Sequence, residues 1–199
     1  MIKKMSNLIL QYLLRSNVID DDQDEKEYYQ YGIEITISSI LNIVLILAIG
    51  LLTHNICESF IFLMLFIPIR QFTGGFHASS YFKCNLSFCI VFLSILVMYN
   101  FTQEILSTYL SILITFICII VIALKCPIEN KNKPILEERK RFHKRIAILL
   151  STIYGIIAIV FIAFSYKYGA LILYTLLSVT VLIFIALLQE GRCEYEQHK

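Results

Sequence analysis

Long runs of apolar residues separated by short polar stretches dominate the chain. A helix that crosses a bilayer takes about 20 apolar residues, with about 17 to 25 as the usual range. Ile33–Leu52, Leu86–Phe101 with its flanks, Ile105–Leu124, Ile146–Tyr166 and Ala170–Leu188 each fit. Ile56–Ile69 is a sixth candidate, with about 14 clearly apolar residues and a carboxylate at Glu58. It reads either as a span extended by its flanks or as a re-entrant segment. Ahead of the spans, Ile2, Met5, Leu8, Ile9, Tyr12 and Leu13 recur at helical spacing. They predict an amphipathic helix, lying on the membrane surface with its lysines toward headgroups or packed on the protein itself. Met1 to Asp20 has neither an unbroken apolar core nor a small-residue cleavage site, so no cleavable signal peptide is expected. The expected fold class is all-α: a polytopic integral membrane protein with about six transmembrane helices and an N-terminal amphipathic helix.

Composition agrees with this pattern. Hydrophobic residues make up 58% of the chain and charged residues only 16%, against about 25% charged in a typical soluble domain. So much apolar surface faces something other than water, and membrane lipid is the expected partner. The charges also set an orientation. With six spans and the N-terminus inside, all but Lys167 of the 17 Lys and Arg fall on the cytoplasmic side, as the positive-inside rule requires. If Ile56–Ile69 did not cross, the basic 125–145 loop would fall outside. In that loop Pro127 and Pro134 interrupt helix, and Glu137–Arg145 predicts a short charged helix leading into the fifth span. Its charge serves either topology at anionic lipid or the docking of an acidic peptide.

The six cysteines form no CxxC and no zinc-type cluster with histidine. Neither a metal nor another cofactor is expected, and nothing in the charge pattern calls for nucleic acid. The segment Ile69 to Cys84 is different: it joins Arg70, a Gly74-Gly75 pair, His77 and Cys84 between two spans. A thiol attacks carbonyls as its thiolate, and a histidine takes the thiol proton and later returns it to a leaving amine. A histidine near a cysteine is also a common structural pairing. On one straight helix the two residues would share a face but stand about 10.5 Å apart along the axis. The chain is therefore expected to bend between them, or to bring them together when substrate binds. Cys84 would then open the third span.

The same residues resemble a known family. Arg70, Gly74-Gly75-x-His77-Ala78 and Cys84 match the signature of the accessory gene regulator B (AgrB) family, the membrane endopeptidases of Gram-positive peptide quorum sensing. Tyr31-Gly32-Ile33-Glu34 resembles the family's opening of its first span. Pro127 and Asn130-Lys131-Asn132-Lys133-Pro134 resemble its central loop. The resemblance implies a single membrane-embedded peptidase domain over residues 1–199. It implies that Cys84 is the nucleophile and His77 the general base and acid. The substrate implied is an AgrD-like precursor peptide, whose acidic tail is removed through an acyl-enzyme thioester. An internal nucleophile of the peptide then closes a thiolactone or lactone ring. The family pattern further implies a homodimer in the cell membrane of a Gram-positive bacterium.

Other residues keep two readings. Arg70 is either a snorkelling interfacial cation or a clamp for the precursor's acidic tail or an oxyanion. Gln71 and the backbone near Gly74 and Gly75 are candidate oxyanion donors. Glu34, just inside the first span, either orients His77 or pairs with Arg70. A membrane peptide transporter and a noncatalytic assembly factor are the rival functions. Neither an internal repeat nor a midplane charge cluster of the kind transporters use is evident.

Overall fold

The computed structural model describes residues 2–16, 22–74, 81–102, 107–128 and 137–197. Helices account for nearly all of them: α1 (Ile2–Arg15), α2 (Gln23–Leu52), α3 (Ile56–Thr73), α4 (Tyr81–Thr102), α5 (Thr108–Lys125), α6 (Glu137–Ala163) and α7 (Gly169–Gln197). No β-strand occurs among the described residues. Helices α2 to α7 are each long and apolar enough to cross a bilayer. The expected class, six candidate spans and an N-terminal helix, is the one observed.

The doubtful second span resolves as one continuous helix. α3 runs 18 residues and carries Pro68 in its interior. Its length comes from continuing past Ile69 through Arg70, Gln71 and Phe72 to Thr73. The charged stretch after Glu137 is likewise the start of α6, not a separate helix.

α7 is the centre of the bundle. It packs against α3, α4, α5 and α6, and Leu171, Leu173, Leu176, Val179 and Ile183 are buried. A helix that is apolar all round settles where protein surrounds it. The other spans keep one apolar face turned outward, as Leu113, Phe116, Ile117 and Ile120 on α5 show. α1 packs on the protein, against α2. Ser6 and Leu10 are buried, and Ser6 donates to the Gln30 carbonyl on α2 (3.3 Å). Met5, Leu8 and Tyr12 remain exposed.

Two close approaches depend on glycine. A Cβ at Gly50 would meet Ser59 Oγ at 1.8 Å, where α2 turns into α3. A Cβ at Gly155 on α6 would meet Thr115 Cγ2 of α5 at 2.4 Å. Small residues let membrane helices pack closely when no hydrophobic effect drives them together. The far end of the bundle from the Ile69–Cys84 segment holds a polar knot. Glu58 is buried at the start of α3 and acts electrostatically on Tyr99 and Lys167. The Lys167 ammonium lies 4.5 Å from the centroid of the Tyr168 ring. Its hydrogen bond to Tyr168, and then the charge attraction between the two, raise the Lys167 pKa.

Gly50→Ala and Gly155→Ala should each lower stability by about 1–3 kcal/mol through overpacking. Gly32→Ala, where a Cβ meets nothing within 4 Å, should stay within about 0.5 kcal/mol. Thermal unfolding of the detergent-solubilised protein checks this; equal melting temperatures for all three variants would refute the close-packing assignment.

Candidate active site

The site begins with the register of α3 against α4. Phe62 and Phe66 on α3 meet Phe88 and Phe92 on α4 in a cluster of tilted and edge-on rings, with centroid separations of 4.9 to 5.5 Å. Such geometries suit the quadrupoles of aromatic rings. α3 and α4 are antiparallel neighbours, and Phe66 touches Phe88. One helical turn from that contact toward the connection lie Arg70 on α3 and Cys84 on α4. The Arg70 guanidinium acts electrostatically on the Cys84 thiol.

Arg70 has two further duties. Its Nη1 donates to the carbonyl of Gly74, just past the end of α3, and it acts electrostatically on the thiol of Cys126. Gly74 has φ +67° and ψ −147°, which L side chains rarely adopt. A Cβ there would stand 2.3 Å from the Ile128 carbonyl oxygen. The closeness arises because Gly74 and Ile128 form an isolated parallel bridge, in which the Ile128 N–H donates to the Thr73 carbonyl (3.0 Å). The end of α3 is thereby clasped to the segment following α5. Phe72 completes the clasp: its ring lies 5.4 Å from the His143 ring and 6.5 Å from Phe142, both on α6.

Cys126 caps α5 and is buried. Burial pushes its thiol up to about 12, against the pull of Arg70 and Lys144. A raised value favours the neutral thiol in the folded chain. The stability this contributes is present below the ordinary thiol range and is lost as pH climbs toward 12.

A second set of contacts joins α2 to α4. Glu34 is buried and shares a side-chain hydrogen bond with Tyr81; Gln30 Nε2 also donates to it (3.4 Å). One turn along both helices, Ser38 Oγ donates to Asn85 Oδ1 (2.8 Å).

Cys84 thus lies half-buried in the first turn of α4, beside Arg70. Gly74 sits at the clasp, Gln71 is exposed, and Glu34 faces Tyr81. His77 and Gly75 fall outside the described residues, on the connection that starts after Gly74 and ends at Tyr81. Tyr81, Asn85, Ser38, Cys126 and Ile128 were not singled out from sequence. The four-residue spacing of Glu34 with Ser38, and of Tyr81 with Asn85, was a signal for the first three. Nothing local announced that Ile128 would meet Gly74.

A family model described as Accessory gene regulator B matches residues 6–187. The chain belongs to the AgrB family. An AgrB-like protein of Clostridium perfringens strain SM101 is 33% identical over 178 residues, covering 85% of this chain and 81% of that protein. A second AgrB-like protein, from strain 13 of that species, is 28% identical over 92% of this chain and 96% of its own length. Accessory gene regulator protein B of Staphylococcus lugdunensis is 26% identical over 75% of this chain and 78% of its length. No solved structure matches the chain. Membership links this AgrB protein to accessory gene regulator quorum sensing, and its apolar helices make it a multi-pass membrane protein.

Gly74→Ala should open the clasp. In the unaltered protein, Cys126 should resist maleimide at pH 7.5 while exposed Cys57 reacts. In the variant, Cys126 should label at least about tenfold faster, as a buried thiol made accessible does. Peptide mapping by mass spectrometry reads both rates, and unchanged protection of Cys126 would refute the clasp.

Proposed function

We propose that this AgrB protein is a cysteine endopeptidase that cleaves an AgrD-like precursor peptide and promotes its cyclisation. The observation carrying the proposal is the meeting of Cys84 with the fixed cation of Arg70, at the mouth of the connection that bears His77. A positive neighbour and a position in the first turn of a helix stabilise the thiolate once a base has taken its proton.

In the proposed reaction His77 takes the Cys84 proton, and the thiolate attacks the scissile carbonyl. The carbon–nitrogen bond breaks, and the amine of the acidic tail leaves with the proton from His77. The remainder of the peptide is held as a thioester on Cys84. An internal thiol or hydroxyl of the peptide then attacks that thioester, closing the ring and returning the Cys84 thiol. Exchange of one thioester for another is nearly isoenergetic, so exclusion of water is what protects the intermediate. Arg70 holds the Gly74 carbonyl, and in this reading it positions the connection carrying His77 while its charge supports the thiolate. The basic residues at this end of the bundle support a cytoplasmic placement of the site and of both termini. A homodimer belongs to this reading through the family resemblance alone.

Reconstitution in lipid with a synthetic AgrD precursor tests the proposal. Cys84→Ala should abolish cleavage, and His77→Ala should slow it by about 10²- to 10⁴-fold, the range for a lost general acid–base. A hydroxylamine-labile peptide adduct should appear on the unaltered protein and be absent from Cys84→Ala. Cleavage retained by Cys84→Ala would sink the peptidase. Lost export with intact cleavage would favour a transporter.

A further inference from the structure

The proposed nucleophile stands in a helix turn that has little of its own to hold it. Tyr81 opens α4, and Cys84 lies three residues on. The first N–H groups of a helix have no partner within it, and helix ends open more readily than their middles. Two contacts brace this turn from α2. The Tyr81 hydroxyl donates to the Glu34 carboxylate, and Ser38 Oγ donates to Asn85 Oδ1 at 2.8 Å. Both pairs are 47 positions apart in sequence, so the contacts sit one turn apart along two parallel helices.

One such contact would leave α4 free to rotate about its axis. Two contacts a turn apart fix both its rotation and its height. Cys84 lies on another face of the same turn, toward α3, where the Arg70 guanidinium acts on its thiol. The thiol therefore meets that cation in the one rotation of α4 that Tyr81 and Asn85 hold.

The contact nearer Cys84's free helix end is built from more than packing requires. Glu34 is buried within a span, where a carboxylate is costly and its retention points to function. At the next turn Ser38 and Asn85 join the same helices with neutral groups alone. The Glu34 carboxylate is itself oriented, because Gln30 Nε2 donates to its Oε1 at 3.4 Å and to Asn7 Oδ1 of α1 at 3.0 Å. Ser6 of α1 donates to the Gln30 carbonyl at 3.3 Å. A chain of polar contacts thus runs from α1 through Gln30 and Glu34 to Tyr81, and ends three residues from Cys84.

We infer that Glu34 and Tyr81 are positioning residues for the proposed reaction. Their hydrogen bond sets the first turn of α4 so that the Cys84 thiol is aimed at the scissile carbonyl beside Arg70, and Gln30 aligns the carboxylate. This rests on the peptidase reading, and it gives Glu34 an action through α4 instead of a direct one on His77.

Cleavage of a synthetic AgrD precursor by protein reconstituted in lipid tests the assignment. Tyr81→Phe and Glu34→Leu should each lower kcat about 10- to 100-fold, the upper figure being the cost of about 1 Å of misplacement. KM should stay within about twofold, since neither side chain binds the peptide. Glu34→Gln keeps an oxygen to accept from Tyr81, so it should recover most of kcat and leave the pH profile of cleavage unchanged. The Glu34→Leu/Tyr81→Phe double variant should be no slower than the slower single variant, because both changes remove one interaction. A kcat within about twofold of the parent in Tyr81→Phe protein that melts and elutes like the parent would overturn the inference. So would Glu34→Gln as slow as Glu34→Leu with a shifted pH profile, which would put the carboxylate at the reacting groups. If Glu34→Leu does not fold, Tyr81→Phe, which removes only a hydroxyl, decides alone. The two readings fail separately: cleavage by Cys84→Ala sinks the peptidase, whereas full-speed cleavage by Tyr81→Phe sinks the positioning role.

Discussion

Hydrocarbon offers no hydrogen bonds, so every polar group carried into a span must find a partner in the protein. This constraint sorts the polar residues of the chain into two sets. Most hydroxyls turn back on their own helix: Thr36 to Gly32, Ser87 to Lys83, Ser111 to Ser107, Thr152 to Ile148, and Thr175 to Leu171. They satisfy themselves four residues upstream and join nothing else. A smaller set reaches across helices. Thr102 shares a hydrogen bond with Tyr174 at one end of the bundle, and Glu34–Tyr81 and Ser38–Asn85 join α2 to α4 near the other. Of this second set, the two pairs between α2 and α4 lie at the end of the bundle that holds Cys84.

Apolar packing then determines which groups meet. The ring contact of Phe66 with Phe88 sets the register of α3 and α4, and Arg70 and Cys84 face one another as a result. Arg70 fixes Gly74 through its carbonyl, and Gly74 fixes the post-α5 segment through Ile128. The clasp joins two stretches that the family resemblance treats as separate motifs: the Arg70–Cys84 signature, which runs from the end of the second span to the start of the third, and the beginning of the central loop. Their co-occurrence has a mechanical reason, since a change in either shifts the other.

The spans were legible because twenty apolar residues in a row have few alternatives. α3 was harder to read, since an arginine and a glutamine interrupt its hydropathy. The helix continues because the Arg70 charge finds the Gly74 carbonyl and two nearby thiols, a local solution that hydropathy does not register. Gly74 was read through its backbone, as a candidate oxyanion donor. Its need for glycine has another cause, the Ile128 carbonyl oxygen 2.3 Å from where a Cβ would stand. Glu34 looked like a partner for His77 or Arg70, the nearest chemistry by motif. In the structure it meets Tyr81, a choice made by the parallel packing of α2 and α4. Contacts of this kind depend on helix pairing, which no periodicity within one helix specifies.

One cation acts on two thiols here, and their surroundings explain why the proposed chemistry belongs to only one. Cys126 lies under the clasp, buried, with its thiol pushed up to about 12 by that burial despite the pull of Arg70 and Lys144. A neutral, enclosed thiol packs as a small apolar group. Cys84 shares the guanidinium but is only half-buried. It stands in the first turn of its helix, next to the Asn85 amide and at the end of the connection that carries His77. Arg70 therefore does not by itself make a thiol reactive. Access for a substrate carbonyl and reach of a proton acceptor make the difference, and both belong to the position at the start of α4 rather than to the cysteine as a residue type.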